Sequence, residues 1–129
     1  MDNNIFELRV FYEDTDVGGV VYHANYLKFF ERARTKLLLD KGFTHTYLRE
    51  KLNIITLVKS CNINFIKPAR LDDELRIITN VEKKSKIQIF LNQHISCKNI
   101  ILVEAKIRIA IVNLEGKISR MPNKLIDIF

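Results

Sequence analysis

The sequence lacks most of the residues and motifs that special kinds of site require. It contains no tryptophan and only two cysteines among its 129 residues. Cys61 and Cys97 are too few for a disulfide framework, and neither stands in the spacing of a metal-ligand set. Both are therefore expected to be reduced thiols in or near the core. A phosphate-binding loop, a dinucleotide fingerprint and a nucleophile elbow are also missing, so no metal and no cofactor is expected.

Long hydrophobic runs are absent as well. No apolar stretch approaches the roughly 20 residues that cross a membrane as a helix, so no transmembrane segment is expected. The start, Met1 to Asn4, has no basic region followed by an apolar one and does not read as a secretory signal. These absences favour a cytoplasmic protein. The chain is long enough for one sizeable core and short for two, so residues 1–129 are expected to form a single domain.

Positive charge is in excess, with 21 Lys and Arg against 15 Asp and Glu and a formal net charge of +6. A nucleic-acid-binding surface would gather basic and aromatic residues on one face. Here the basic residues are scattered, so no nucleic-acid partner is expected. The excess suits either a basic surface kept soluble by its charge or a few cations that bind a polyanion such as coenzyme A. Composition leaves both open.

The stretch from Tyr12 to Leu38 carries most of the candidate chemistry. Its acidic loop, 13–16, leads into the pair Gly18-Gly19, which lets the backbone bend and approach a ligand. An amphipathic helix is predicted next, and Asn25 is predicted to cap its start. The apolar residues that recur there at helical spacing are Tyr26, Phe30, Ala33 and Leu37. Carboxylates, a glycine pair and a positive helix end therefore meet in one place, which suits the stabilisation of developing negative charge.

The rest of the chain reads mainly as strands. Ile5 to Phe11 alternates between apolar and other residues, and four further segments of period two follow the helix, at 54–65, 75–81, 87–95 and 101–111. Lys41-Gly42 marks the end of the long helix, and Thr44 is a candidate cap of a short second helix. This order predicts an α+β fold, with an antiparallel sheet of about five strands wrapped around one long central helix. The open sheet edge and the incomplete wall of the site favour a homodimer.

The run YEDTDVGGVVYHANY, from Tyr12 to Tyr26, is followed by FERAR, from Phe30 to Arg34. Together they resemble the hotdog-fold acyl-CoA thioesterases of the 4-hydroxybenzoyl-CoA thioesterase type, and the YbgC branch associated with Tol-Pal gene clusters in particular. The resemblance covers nearly the whole chain and is sharpest over its first third. It implies a hotdog fold, hydrolysis of an acyl-CoA or acyl-carrier-protein thioester without a cofactor, and a homo-oligomer, either a dimer or dimers paired into a tetramer.

The resemblance assigns roles to two of the three candidate catalytic residues, Asp16 and His23. Asp16 matches the family's catalytic carboxylate, a general base or nucleophile toward the thioester carbonyl. Without the surrounding motif, an aspartate there would more often stabilise its own loop, which is the role assigned to Asp14. The main chain of His23, with the Gly18-Gly19 bend, is expected to hold the oxyanion, and its imidazole to position water or substrate. The alternative is a structural histidine bonded to the loop carboxylates. Tyr12 either bonds Asp16 or lines the pocket, unless it is a core tyrosine with a satisfied hydroxyl.

The substrate-binding residues are expected in three places. Gly19, Val21 and Tyr22 lie beside the acidic loop. Lys84 and Ser85, at a strand turn, are implied by the resemblance to contact the nucleotide or pantetheine arm across a subunit boundary, with a solvated charged hairpin as the alternative. Lys59 and Ser60 are expected along the acyl or pantetheine path.

Three rival interpretations remain. Glu31 is a rival base, because another hotdog branch places its catalytic carboxylate on the central helix; an ion pair with Arg34 three residues later is its expected role. A hotdog dehydratase acting on hydroxyacyl thioesters would need a His–carboxylate pair, and the acidic loop argues against it. A non-catalytic binding module for acyl-CoA or acyl carrier protein in envelope lipid metabolism is the third, against which the intact Asp16 speaks. The sequence does not indicate the length of the acyl group.

Overall fold

The computed structural model describes residues 4–129. Five strands form its sheet: β1 Ile5–Arg9, β2 Ile55–Phe65, β3 Glu74–Lys84, β4 Gln88–Cys97 and β5 Ile100–Val112. The helices are α1 Asn25–Asp40, α2 His45–Leu52 and α3 Asn123–Ile126. All strand pairs are antiparallel, in the order β1-β3-β4-β5-β2. Within this part of the chain, no helix has the length and apolar character needed to span a membrane.

The sheet wraps one face around α1. The helix buries the side chains Tyr26, Phe29, Phe30, Ala33, Leu37 and Leu38. They join one core with inward-facing residues of the strands, among them Ile77, Ile95, Val103 and Ile107. Full burial of an aromatic or branched side chain contributes roughly 1.5–3 kcal/mol, so this contact between helix and sheet is the main stabilising feature of the fold. The predicted α+β architecture, a five-stranded antiparallel sheet around a central helix in the hotdog arrangement, is confirmed.

The predicted stop of α1 is confirmed. Gly42 has a φ of 95°, in the left-handed region that glycine adopts readily. Its N–H donates to the Leu39 carbonyl at 2.9 Å, and the Phe43 N–H donates to the Leu38 carbonyl at 3.0 Å. The start of α2 is also as predicted, because the Thr44 hydroxyl oxygen accepts the Tyr47 N–H at 2.9 Å.

The predicted cap at the start of α1 is wrong. Ala24 occupies the cap position and makes no side-chain cap bond, and Asn25 is the first helical residue. The Asn25 amide group donates instead to Asp14 Oδ1 at 2.9 Å. A buried carboxylate must find hydrogen-bond donors, and this requirement outweighs one capping bond that water can replace.

Strand β2 forms an open edge of the sheet. Its register slips between Val58 and Ser60, so Lys59 sits in a β-bulge. Several of its apolar side chains, including Leu57, Val58 and Phe65, are exposed. Cys61 on the same strand is exposed too, and Cys97 is half-buried; both are free thiols. The expectation of core or near-core cysteines is therefore wrong for Cys61, because an edge strand is covered on fewer sides than a central one.

Candidate active site

The loop between β1 and α1 contains a short 3₁₀ turn, Tyr12–Asp14, and then a tight hairpin. Thr15 pairs with Val21 across the base of the hairpin. At the tip, the Asp16 N–H donates to the Val20 carbonyl at 2.9 Å, and the Gly19 N–H donates to the Asp16 carbonyl at 3.1 Å. Gly19 has a φ of 77°, which favours glycine and closes the turn without strain. The hairpin therefore fixes the backbone position of Asp16.

Asp14 holds the loop together. Its carboxylate is only 4% exposed. Oδ2 accepts the Phe11 N–H at 2.8 Å, and Oδ1 accepts the Asn25 amide at 2.9 Å. Its main-chain carbonyl accepts the Tyr22 N–H at 3.0 Å. Because both carboxylate oxygens are bonded inside the protein, the structural role predicted for Asp14 is confirmed.

Asp16, two residues on, is exposed. Its Oδ1 accepts the Gly18 N–H at 2.8 Å. Elsewhere in the described chain, nothing bonds its second oxygen, and no cationic side chain lies within ion-pair distance. The carboxylate is thus anchored by one oxygen and free to meet water or substrate with the other.

The donors for an oxyanion differ in part from those predicted. The N–H groups of Gly18 and Gly19 are already bonded to oxygens of Asp16, so the glycine bend shapes the loop and does not supply these donors. At the start of α1 the main-chain N–H groups of His23 and Ala24 have no acceptor among residues 4–129. They stand at the positive end of a 16-residue helix. Two free donors at such a position can stabilise a negatively charged oxygen.

The His23 imidazole is exposed and stacks near the Tyr22 ring, with 4.6 Å between centroids. It borders a small cavity of about 230 Å³ that Val21 and Phe65 also line. In the part of the chain that the structure describes, the imidazole forms no hydrogen bond or ion pair with either loop aspartate. The alternative of a structural histidine bonded to the loop carboxylates is therefore wrong.

Tyr12 projects from the 3₁₀ turn with 84% of its surface exposed. The alternative of a core tyrosine is wrong, because this exposure leaves the ring outside the core. No hydrogen bond joins its hydroxyl to Asp16 within residues 4–129. Phe11 and Val17 are exposed beside it, so the acidic loop carries an uncovered apolar patch.

A larger cavity lies between α1, α2 and the sheet, with a volume of about 300 Å³. Thr56 and Val58 of β2 stand at its edge. Most of its wall is apolar and comes from Leu37, Leu38, Leu48, Ile54, Ile89, Leu91 and Ile109. An apolar cavity of this size with a few polar groups is typical of a ligand pocket.

Arg34, which lines this cavity, is hydrogen-bonded to a buried glutamine of the sheet. Gln93 is fully buried and accepts a hydrogen bond from the Arg34 guanidinium at 3.0 Å. Its amide nitrogen donates to the Phe30 carbonyl at 3.1 Å and to the Thr79 hydroxyl at 2.8 Å. These bonds use the amide fully and fix Arg34 against the sheet. Burial lowers the pKa of Arg34, partly offset by the nearby Glu31.

The predicted ion pair between Glu31 and Arg34 is wrong. No Glu31–Arg34 contact within 4.0 Å is among the ion pairs of residues 4–129. Glu31 accepts the Thr35 hydroxyl at 2.5 Å instead. Helical spacing suggested the pair, but the Arg34 guanidinium bonds Gln93 on β4 instead.

Comparison with known proteins places this geometry in a family. Residues 10–129 match the Thioesterase-like superfamily. The chain belongs to this superfamily. The acyl-CoA thioesterase YbgC of Haemophilus influenzae is 42% identical over 115 residues, which are 88% of this chain and 85% of that protein. The acyl-CoA thioester hydrolase YbgC of Escherichia coli is 35% identical over 133 residues, covering 100% and 98% of the two.

Solved structures of the superfamily agree. The crystal structure entitled "Probable Thioesterase from Bartonella henselae" superposes with a TM-score of 0.88 at 41% identity and covers 92% of this chain and 98% of that one. The resemblance seen in the sequence is therefore confirmed, for the family and for its similarity to YbgC proteins.

Other residues predicted to bind substrate are distributed around this thioesterase fold. Val21 is buried in the core, donates its N–H to the Ala69 carbonyl at 2.8 Å and lines the small cavity. Lys59 is exposed in the β2 bulge near the mouth of the larger cavity. Ser60 pairs with Arg108 on the face of the sheet turned away from α1. The bulge at Lys59 sets which side chains of β2 face the helix, and the place of Ser60 along the acyl or pantetheine path stays a prediction.

Lys84 and Ser85 make internal contacts. The Lys84 ammonium donates to the Ile126 carbonyl at 3.0 Å and also to the main-chain oxygen of Phe129. The Ser85 hydroxyl accepts the Gln88 N–H at 3.2 Å, and the Ser85 N–H donates to the Gln88 carbonyl at 2.8 Å. Ser85 therefore closes the β3–β4 turn, and Lys84 holds the end of the chain.

Sequence reasoning missed the role of Tyr26. This buried tyrosine accepts the Ala69 N–H on its hydroxyl at 3.0 Å, and burial raises its pKa. Val20 pairs with Arg70, one residue further on. The segment before β3 thus holds both the hairpin of the acidic loop and the start of α1. The available signal was a tyrosine on the apolar stripe, which needs a partner for its hydroxyl when buried.

Proposed function

We propose that this chain hydrolyses acyl-CoA thioesters and that Asp16 performs the chemistry. The main support for this proposal is the carboxylate of Asp16, which has one oxygen without a hydrogen bond in the described chain. The hairpin that holds Asp16 leads directly to the N–H groups of His23 and Ala24, which have no acceptor among residues 4–129. Membership in the Thioesterase-like superfamily and the names of the YbgC relatives support the same activity.

Two routes use the same groups. In the first, Asp16 takes a proton from water as the water attacks the thioester carbonyl. In the second, Asp16 attacks the carbonyl itself, and water then hydrolyses the mixed anhydride. In both, the carbonyl oxygen becomes an oxyanion that accepts the N–H groups of His23 and Ala24, and its collapse expels the thiolate of coenzyme A. Each such donor is worth roughly 10²–10³ in kcat.

The acyl group is proposed to occupy the apolar cavity between α1 and the sheet. That cavity opens at the β2 edge, whereas the hairpin of the same chain leads into the opposite, N-terminal end of α1. A site built from one copy alone would therefore separate the acyl group from Asp16.

A homodimer joined through the β2 edges removes this difficulty. Two identical edge strands related by a two-fold axis pair antiparallel. If the two-fold axis passes between Cys61 and Asn62, near the middle of β2, Val58 at the mouth of one cavity lies near Phe65 of the partner subunit. In each chain the Phe65 and Tyr26 rings are in contact, with 5.6 Å between centroids, so Phe65 marks the start of α1. The acidic loop of one copy would meet the cavity of the other, and Lys59 would border the pantetheine arm between them. The exposed apolar residues of β2 and of the loop support this pairing.

The oligomeric state can be measured directly. Light scattering at micromolar concentration should show a dimer, or a tetramer made of such dimers. A monomer that retains full activity would contradict the shared site.

The activity is tested by incubating the protein with a panel of acyl-CoA thioesters and measuring the released thiol. Hydrolysis of at least one class of acyl-CoA is expected. The same acyl group on acyl carrier protein then distinguishes between the two carriers. Tight binding of acyl-CoA without thiol release would contradict the proposal and favour a binding module.

A further inference from the structure

A row of paired side chains crosses the sheet under the larger cavity, and three of them, Val58, Ile109 and Ile89, line it. Val58 on β2 pairs with Ile109 on β5, which pairs with Ile89 on β4, which pairs with Lys84 on β3. Directly paired residues share one face of a sheet, and Ile109 and Ile89 belong to the core that faces α1. The row spans three strand spacings of about 4.8 Å, roughly 14 Å in all.

The two ends of this row differ. At the β2 end, Val58 is 45% exposed, so the cavity opens there. At the β3 end the row reaches Lys84, and Phe129 enters the cavity wall. Lys84 donates to the main-chain oxygens of Ile126 and Phe129, so it holds the segment that carries this ring. At this end of the row, a residue from outside the sheet contributes to the lining of the cavity.

The rest of the closing segment is also tied down by side chains. Ile126 and Phe129 pack against the core as partly buried residues. The Lys124 ammonium donates to the Tyr47 hydroxyl on α2 at 3.1 Å. These contacts hold the segment that carries Phe129, a residue that lines the cavity, against α2 and the end of β3.

We propose that Phe129 is the end wall that limits the length of the acyl group, and that Lys84 is the positioning residue that holds this wall. The inference deepens the proposed function and rests on the acyl group occupying this cavity. It gives Lys84 a role different from a coenzyme A contact. A coenzyme contact would affect all acyl-CoA ligands alike, whereas a wall support affects only those long enough to reach the wall.

The test measures binding, so that it does not depend on turnover. S-alkyl-coenzyme A thioethers, which lack the scissile carbonyl, are titrated into the protein as a series of increasing chain length. For the parent protein, affinity should rise by about fourfold for each buried methylene group and then level off. For Phe129→Ala, the chain length at which affinity levels off should increase by about two to four methylene groups, because the surroundings collapse only partly into the space left by the ring.

A second variant guards against loss of structure. Phe129→Trp adds volume at the same position, so affinity should level off at a shorter chain length.

Lys84→Met should move the chain length at which affinity levels off toward longer chains, by less than Phe129→Ala does, without changing the affinity for the shortest thioether. Lys83→Met is the matched control: the Lys83 ammonium lies over the Phe90 ring on the opposite face of the sheet, at 4.6 Å from its centroid, and its loss should leave the profile unchanged.

The outcomes are separable. An unmoved levelling point in both Phe129 variants would overturn the inference, and so would a parent whose affinity does not depend on chain length. A uniform loss of affinity for every thioether in Lys84→Met would assign Lys84 to the coenzyme and overturn its positioning role. If the parent protein does not release thiol from acyl-CoA, the proposed function is wrong. The binding results would still test whether Phe129 limits the length of the bound chain.

Discussion

The acidic loop has a buried half and an exposed half, and each half contains one aspartate. In the buried half, Asp14 accepts one hydrogen bond on each carboxylate oxygen, from Phe11 and Asn25. In the exposed half, Asp16 accepts a single hydrogen bond, from Gly18, on one of its oxygens. The two residues are identical in type and two positions apart. Within residues 4–129, both carboxylate oxygens of Asp14 are hydrogen-bonded, whereas only one oxygen of Asp16 is.

This difference shows how one loop can separate structure from chemistry. A buried carboxylate has to be satisfied by internal donors, and a carboxylate as little exposed as Asp14 is out of reach of water and substrate. Asp14 therefore fixes the geometry of the loop. Asp16 uses that geometry to present a free oxygen at a defined place.

The largest effect is expected for Asp16→Asn. The amide still accepts the Gly18 N–H through its oxygen but is neither a base nor an anionic nucleophile. We expect kcat to fall by roughly 10²–10⁴, with the free energy of unfolding nearly unchanged. Steady-state kinetics on a hydrolysed acyl-CoA and urea denaturation measure the two quantities. An active Asp16→Asn enzyme would make Glu31 the first candidate for the base.

Asp14→Asn should show the reverse pattern. The amide has one acceptor oxygen, so either the Phe11 N–H or the Asn25 amide loses its partner in a buried place. The free energy of unfolding should fall by about 1–3 kcal/mol. The kcat of the folded enzyme should change far less than in Asp16→Asn. Comparable losses of kcat in both variants would mean that the loop acts through its total charge, and the contrast between its halves would disappear.

The smallest effect is expected for Tyr12→Phe. The hydroxyl is exposed and does not bond Asp16, so the free energy of unfolding should change by less than about 0.5 kcal/mol, as for most surface substitutions. The same denaturation and kinetic assays apply. A loss of kcat as large as that of Asp16→Asn would show that the Tyr12 hydroxyl takes part in the chemistry. The contrast between Asp14 and Asp16 would then not be enough to explain the activity.

The sequence predicted those parts of the fold that depend on local patterns. Alternation and helical spacing placed the strands and α1, and Gly42 marked the end of the helix because only a left-handed residue suits that position. Asp14 and Asp16 were separated by the family motif, and the structure gives the separation a physical basis in their hydrogen bonds.

Two of the wrong predictions share one cause, a bonding partner that is distant in sequence. Asn25 bonds a buried carboxylate 11 residues away and not its own helix start. Arg34 bonds Gln93, 59 residues later, and not Glu31. Spacing along the chain carries no information about such partners.

The central claim is that Asp16 of one copy acts on a thioester whose acyl group sits in the cavity of the other. Subunit complementation tests it most directly. One chain carries Asp16→Asn, the other carries Val58→Trp to fill the mouth of its cavity, and the two are co-expressed with different tags and purified as mixed dimers. Each variant alone should be nearly inactive toward the longest acyl-CoA that the parent hydrolyses well. The mixed dimer should recover about half of the parent's activity, because one of its two sites combines an intact Asp16 with an open cavity. A mixed dimer no more active than the two variants alone would contradict the shared site.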